Sequence, residues 1–296
     1  MSISEHLNQG WNQHATDPEG VLARFDEGLA LAQSGADLAG LSRLTAHVAG
    51  EHLGRFDDGL ALLERIRQHP AFEADTADGR AVARNLAALA MVGGDAVAAS
   101  RWAQAAGSDT PDSDAARLRA EAAAMLIGRD RLEEGARLYE EALALLGPAP
   151  TREDPATRAL AVTSNNLALG LEQRPDRDEA ASALMVLAAR EARRLWELAG
   201  TWLHVERAEY RLSRSLCAAG QTEEARAHAM ACLDLCQDNA APPEELYFAW
   251  EALALASRPD APYAVSQMES LLPALPADWA DYAKQALDAA RATLPG

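Results

Sequence analysis

The residues of this 296-residue sequence whose types and spacing could do chemistry are its histidines and cysteines. His47-Val-Ala-Gly-Glu51-His52 contains the donor types of a zinc site. On an α-helix His47 and Glu51 share a face, but His52, five residues beyond His47, points elsewhere. The segment is also one residue longer than the His-x-x-Glu-His signature. It therefore reads as polar residues on an inner helix, with no metal expected. His228, Cys232 and Cys236 follow one another at intervals of four, along one helical face, and Cys217 lies on the preceding segment. They form the best metal-like set in the sequence. Free cysteine packs as a small hydrophobe, however, and metal ligands come more often from turns or facing helices than from one helical row. Structural cysteines, no metal and no cofactor are expected.

Other reaction classes lack their residues. Lys284 is the single lysine and has no glycine-rich loop beside it, which excludes a P-loop. There is no Gly-x-Ser-x-Gly elbow, and no Gly-x-Gly-x-x-Gly follows a strand. Carboxylate pairs occur at Asp57-Asp58, Glu133-Glu134, Glu140-Glu141 and Glu223-Glu224. General acid–base work needs a desolvated pocket, whereas these lie on or just before outer helices, where they cap and solvate. A protein that is not an enzyme is expected.

The elements that would position these residues are helical. Ala and Leu supply most of the 49% apolar content, aromatics are 5%, and Ile3, Ile66 and Ile127 are the isoleucines. In Arg131–Leu146 apolar residues recur at Leu132, Ala136, Tyr139, Leu143 and Leu146. In Val205–Ala219 they recur at Ala208, Leu212, Leu216 and Ala219. Helix starts are marked by Asp17-Pro18 and Asp154-Pro155. The formal net charge of −18 repels phosphate backbones and anionic bilayers, so neither nucleic acid nor membrane is an expected partner. Three cysteines (Cys217, Cys232, Cys236), a polar Met1–Gln13 and no apolar stretch of spanning length point to the cytoplasm. The bias of arginine over lysine is expected of a GC-rich, bacterial genome.

One pattern repeats along the chain: a breaker, a polar or acidic pair, a small residue, and an apolar residue about four later. The small residues are Gly59, Ala99, Gly135, Ala180, Ala225 and Ala264, separated by 40, 36, 45, 45 and 39 residues. Gly220-Gln-Thr-Glu-Glu-Ala225 and Asp130-Arg-Leu-Glu-Glu-Gly135 are the fullest copies. This resembles the second half of a tetratricopeptide (TPR) motif, where an alanine stands at the close crossing of two helices. Asn166-Leu167-Ala168-Leu169-Gly170-Leu171 resembles the Asn-Leu-Gly core of the first half. The repeats are longer than the roughly 34 residues of the standard motif. The usual aromatic pair and the repeat-ending proline are mostly missing.

The resemblance implies an all-α, right-handed α-solenoid of about six to seven TPR-like hairpins forming one superhelical domain over residues 1–296. Residues 1–36 would be a worn N-terminal hairpin with a helix at Pro18–Gln33. Residues 37–273 would form six repeats, and a helix at 276–294 would cap the array. It also implies a protein-interaction module or scaffold whose first helices line a concave groove. Counting back from the small residues puts Arg84, Asn85, Asn165, Asn166, Arg207, Arg211 and Arg214 on that groove. There Asn and Arg would hold a peptide backbone and an acidic side chain or C-terminal carboxylate. The alternatives are a regulatory sensor whose curvature responds to a small ligand or signalling peptide, and an all-α metalloprotein built on Cys217, His228, Cys232 and Cys236. Trp102 and Trp250 fall in helical stripes and are expected in the core. Trp196 and Trp202 flank Gly200, where an inter-repeat contact is expected.

Overall fold

Alanine- and leucine-rich stripes of helical period cannot bury themselves on isolated short helices, so each must be covered by a neighbour. In the computed structural model, which describes residues 1–294, that requirement is met by helices alone, with no strand among the described residues. The chain forms two compact units. The first comprises Met1–Pro150 with Asp154–Ala156, and the second comprises Thr151–Glu153 with Thr157 onward.

The first unit contains α1 (Ile3–Gln13), α2 (Pro18–Ala23), α3 (Phe25–Leu31) and α4 (Gly35–His47). It continues through α5 (Phe56–Ile66), α6 (Ala77–Gly93), α7 (Ala96–Ala106), α8 (Pro111–Gly128) and α9 (Leu132–Leu146). The helix expected at Pro18–Gln33 is divided, because Arg24 leaves helical geometry and closes α2 before Phe25 opens α3. Caps follow the sequence signals. The Asp17 side chain accepts from the Gly20 amide ahead of Pro18, and Ser34 forms a reciprocal capping box with Asp37. The turn between α6 and α7 needs a left-handed residue, and Gly94 supplies it at φ +86°. Helix α4 packs on α6 and α6 on α8, while α5, α7 and α9 each return against their preceding helix.

The second unit carries α10 (Pro155–Glu172), whose first two residues belong to the first unit, and α11 (Glu179–Ala199). After them come α12 (Trp202–Ala218), α13 (Thr222–Asp238), α14 (Pro243–Ala256), α15 (Ala261–Leu271) and α16 (Ala280–Arg291). Here α12 packs on both α13 and α14, and α15 returns on α14. The C-terminal α16 lies on α14 and α15, burying Ala283, Ala286, Leu287 and Ala290. It starts four residues later than the expected Pro276, after a short 3-10 turn at Ala277–Trp279.

The small residues of the repeat sit where helices approach. Gly59, Ala99, Gly135, Ala225 and Ala264 are all buried. A Cβ on Gly135 would press into the Ile127 side chain and come within 3.0 Å of the Ala123 carbonyl oxygen. The expectation fails at Ala180, which is exposed, while its neighbour Ala181 is buried. The cause is helical phase. In the other five hairpins the small residue stands four positions after the N-cap, but Asp178 caps α11 and its buried face begins at the third. Trp102 is in the core as expected, and Trp250 is half-buried.

Gly135→Val should therefore destabilise the protein by about 1–3 kcal/mol through overpacking. Ala180→Val should cost less than about 0.7 kcal/mol, the scale of helix propensity alone. Urea unfolding followed by circular dichroism measures both. Equal losses would show that no close crossing exists at Gly135.

Candidate functional site

Three constellations could recognise or hold something. The first is the α12 face of the second unit. Arg207 is exposed and ion-paired with the buried Glu245 of α14. Arg211 donates to Glu172 of α10 at 2.6 Å. Arg214 reaches the same carboxylate at 3.1 Å and the buried Glu251 at 2.7 Å. The three arginines expected to read an anion are thus already matched by three glutamates. Asn165 is half-buried and Asn166 exposed on α10. Between the arginines lies an aromatic group that the sequence reading missed. Phe248 packs edge-on against Tyr210 and Trp279 and at a tilt against Tyr282, with centroids 5.1–5.3 Å apart. The Tyr210 and Tyr282 hydroxyls both donate to Glu251, at 2.9 and 2.8 Å. Burial, with the Glu251 charge added, pushes both phenols well above their ordinary value, so they remain donors. A signal did exist. Tyr210 lies 15 residues before Ala225 and Phe248 16 before Ala264, beside the positions counted for arginine.

In the first unit the two expected groove residues are drawn inward. Arg84, 9% exposed, donates from Nε to Glu121 at 2.9 Å. Asn85 is also buried and donates to Ser42 Oγ at 2.5 Å. Arg84 does border a cavity of about 620 Å³ among α6, α7 and α8, shared with Met91, Ala99, Ala103, Leu118 and Arg119. Nearby, Arg117 Nε and Glu121 Oε2 are buried without a hydrogen-bond partner among the described residues. Burial, with Arg84 close by, lowers the proton affinity of the Arg117 guanidine.

The second constellation is the His47–His52 segment, and here the expected direction of His52 is overturned. Residues Val48–Leu53 form a π-helical turn, ended by Gly54 at φ +65°. A π-turn bonds i to i+5, so residues five apart become neighbours. His47 Nε2 and His52 Nε2 lie 3.1 Å apart. His14, just after α1, joins them, and one ring nitrogen from each of the three lies within 4.8 Å of the others. Glu51 binds His47 Nδ1 at 2.9 Å, and the His14 Nδ1–H donates to the Trp11 carbonyl. Burial and the neighbouring His47 hold His52 below its ordinary pKa, which favours the neutral ring.

The third is the cysteine set, which assembles differently from the row along α13. His228 turns to Glu209, Cys217 donates to the Leu255 carbonyl at 3.3 Å, and all three cysteines are free. Cys232 and Cys236 instead meet the fully buried Glu206 of α12, at 3.0 and 3.7 Å from Oε1. Glu206 Oε2 has no hydrogen-bond partner among the described residues. The carboxylate pairs behave as expected of solvated residues: Glu134 and Glu224 bind Arg131 and Arg190, which hold both below the usual range. No helix among the described residues is long and apolar enough to cross a membrane. No protein-family model and no curated protein matches the chain.

Burial raises Glu206 from 4.5 to about 7, with Glu245 adding to the rise and the two thiols and Arg207 opposing it. A raised folded-state value means that the carboxyl favours folding at low pH, and that this contribution is lost as pH climbs from about 4.5 through about 7. Glu206→Gln keeps an acceptor for both thiols and cannot ionise. Relative to wild type it should gain on the order of 3 kcal/mol between pH 4.5 and pH 8 and be flat beyond. Denaturant unfolding across that range checks it. A pH-independent difference would show that Glu206 titrates normally.

Proposed function

We propose that this chain is a TPR-like interaction module, without catalytic activity, that holds a peptide or protein segment on the first-helix face of its hairpins. The hairpins are read as a right-handed solenoid. The packing of first helix on first helix, α4 on α6 on α8 and α12 on α14, supports that reading. The observation that carries it is the aromatic group on α12, α14, the turn before α16, and α16. The chain has 15 aromatic residues, six Trp, five Tyr and four Phe, and four of them gather here beside Arg211 and Arg214. Tyr282 is exposed and the other three are half-buried. Tyr, Trp and Arg are the residue types that dominate binding energy at protein interfaces, because they bury large areas at low entropic cost.

Because Glu172, Glu245 and Glu251 neutralise the arginines, the face reads shape and apolar side chains more than a free carboxylate. An acidic partner would have to displace these internal pairs. The three free cysteines suit a reducing cytoplasm.

A second reading is a small-ligand sensor, and the cavity among α6, α7 and α8 favours it. Its size falls within the range of small-molecule pockets, and it joins an apolar wall to the polar Arg84 and Arg119.

Peptides selected by phage display against the full chain test the main reading. Those that bind should lose at least about tenfold in affinity to Trp279→Ala/Tyr282→Ala, a change typical of hot-spot truncation. The melting temperature should move by only a few degrees. Equal binding by wild type and variant would remove the face. Peptide binding lost only when the cavity is filled by Ala103→Leu would favour the sensor.

A further inference from the structure

We propose that His14, His47 and His52 bind a divalent transition metal of borderline softness, zinc first among them, through three imidazole nitrogens. Three features of the cluster point to a ligand. First, the backbone departs from α-helical geometry at this place. An α-helix would set His52 away from His47, whereas the π-turn Val48–Leu53 sets their Nε2 atoms 3.1 Å apart. Zn–N bonds of about 2.0–2.1 Å in a tetrahedron place ligand nitrogens about 3.3 Å apart. That pair is already close to the required separation, and the His14 nitrogen, within 4.8 Å of both, needs only a small rotation to complete a facial set.

Second, the far side of two of the rings is fixed in the way metal-binding imidazoles require. A ligating histidine usually donates its other N–H to a carboxylate or a backbone carbonyl, which sets the tautomer and aims the free lone pair. His47 Nδ1 is held by Glu51 at 2.9 Å, and His14 Nδ1 by the Trp11 carbonyl. Both rings therefore carry their proton on Nδ1 and present an unprotonated Nε2. His52 Nε2–H donates to His47 Nε2 in the metal-free cluster. On binding, that proton moves to His52 Nδ1, which frees the Nε2 lone pair for the metal.

Third, all three rings are half-buried rather than sealed, and are walled by the Trp11 ring, 5.6 Å from His14 and 5.2 Å from His47. An ion can enter and is then partly screened from water. The nearby cations are Arg129, which donates to the His52 carbonyl at 2.9 Å, and Arg43, 5.3 Å from the centre of the Trp11 ring. They weaken the site for a dication, and the Glu51 charge offsets part of that. Three nitrogens leave a fourth position for water or for a donor on a bound molecule, the pattern of an open zinc site.

The experiment uses the full chain purified without a histidine tag and stripped with chelator. Zn²⁺ is titrated by calorimetry, and Co²⁺ is followed by its visible d–d absorption. One equivalent of Zn²⁺ should bind with a dissociation constant of about 10 μM or tighter, with a rise in melting temperature. His14→Gln and His52→Gln should each weaken binding at least about 100-fold, and Glu51→Gln, which acts through His47, by about 10–100-fold. Circular dichroism and melting in chelator confirm that each variant is folded. A Cys232→Ser/Cys236→Ser variant should keep the Co²⁺ spectrum. Affinity weaker than about 10 μM, a spectrum lost with the cysteines, or binding unchanged by two folded histidine variants would each overturn the assignment.

Discussion

The helices of a hairpin can approach only as closely as the side chain lying between them allows. In this protein that side chain is repeatedly a glycine or an alanine. At Gly135 the neighbouring backbone oxygen of Ala123 already occupies the edge of the space that a methyl group would need. Close crossing shortens the return path, so the linking turns can be two or three residues long, as at Gly94-Asp95 and at Ala219-Gly220-Gln221. Short turns keep the second helix against the first and leave the first helices free to pack on one another, as α4, α6 and α8 do. The polar and aromatic residues discussed above are displayed, or drawn inward, according to which side of that packing they fall on.

The acidity of the chain has a second consequence inside the second unit. Glu206, Glu209, Glu245 and Glu251 are all buried, and all but Glu206 meet arginine. An ion pair taken out of water survives only when its geometry satisfies the remaining donors and acceptors. The planar guanidinium does this better than an ammonium, because its fork can serve two partners at once. Arg214 bridges Glu172 and Glu251, and Arg193 bridges Glu197 and Glu209. Glu206 is the exception: its neighbours are thiols, which are weak donors, and burial raises the pH at which it gives up its proton. The same physics leaves the polar groups of α12 largely committed to partners on neighbouring helices.

The π-turn after α4 shows how one backbone detail can change the chemistry of a sequence. The π-turn widens the helix around Val48–Leu53, burying Val48, Ala49 and Gly50 while turning His52 back toward His47. Close packing accompanies it: a Cβ on Gly50 would run into Met125 of α8, and Gly54 must adopt a left-handed conformation to end the turn. Such insertions are held in place by tertiary contacts rather than by local preference.

The sequence by itself determined the helical class, the placing of most turns and the small residues at the crossings. These depend on local quantities: propensity, a 3.6-residue stripe, an aspartate before a proline, a glycine at a turn. It also supplied the polar residues of α12 and α6, but did not choose among their possible partners. Whether Arg84 faces water or Glu121, whether Arg211 is free or tied to Glu172, and whether His228 joins the cysteines or Glu209 depend on residues 19 to 39 positions away. The slip of one residue at Ala180 and the convergence of His14 with His47 and His52 are of the same kind. Helical phase and backbone winding were chosen by packing, and a one-residue change in either moves a side chain to a different face. Tertiary structure alone decided these, because a side chain's direction depends on the whole helix and on what presses against it.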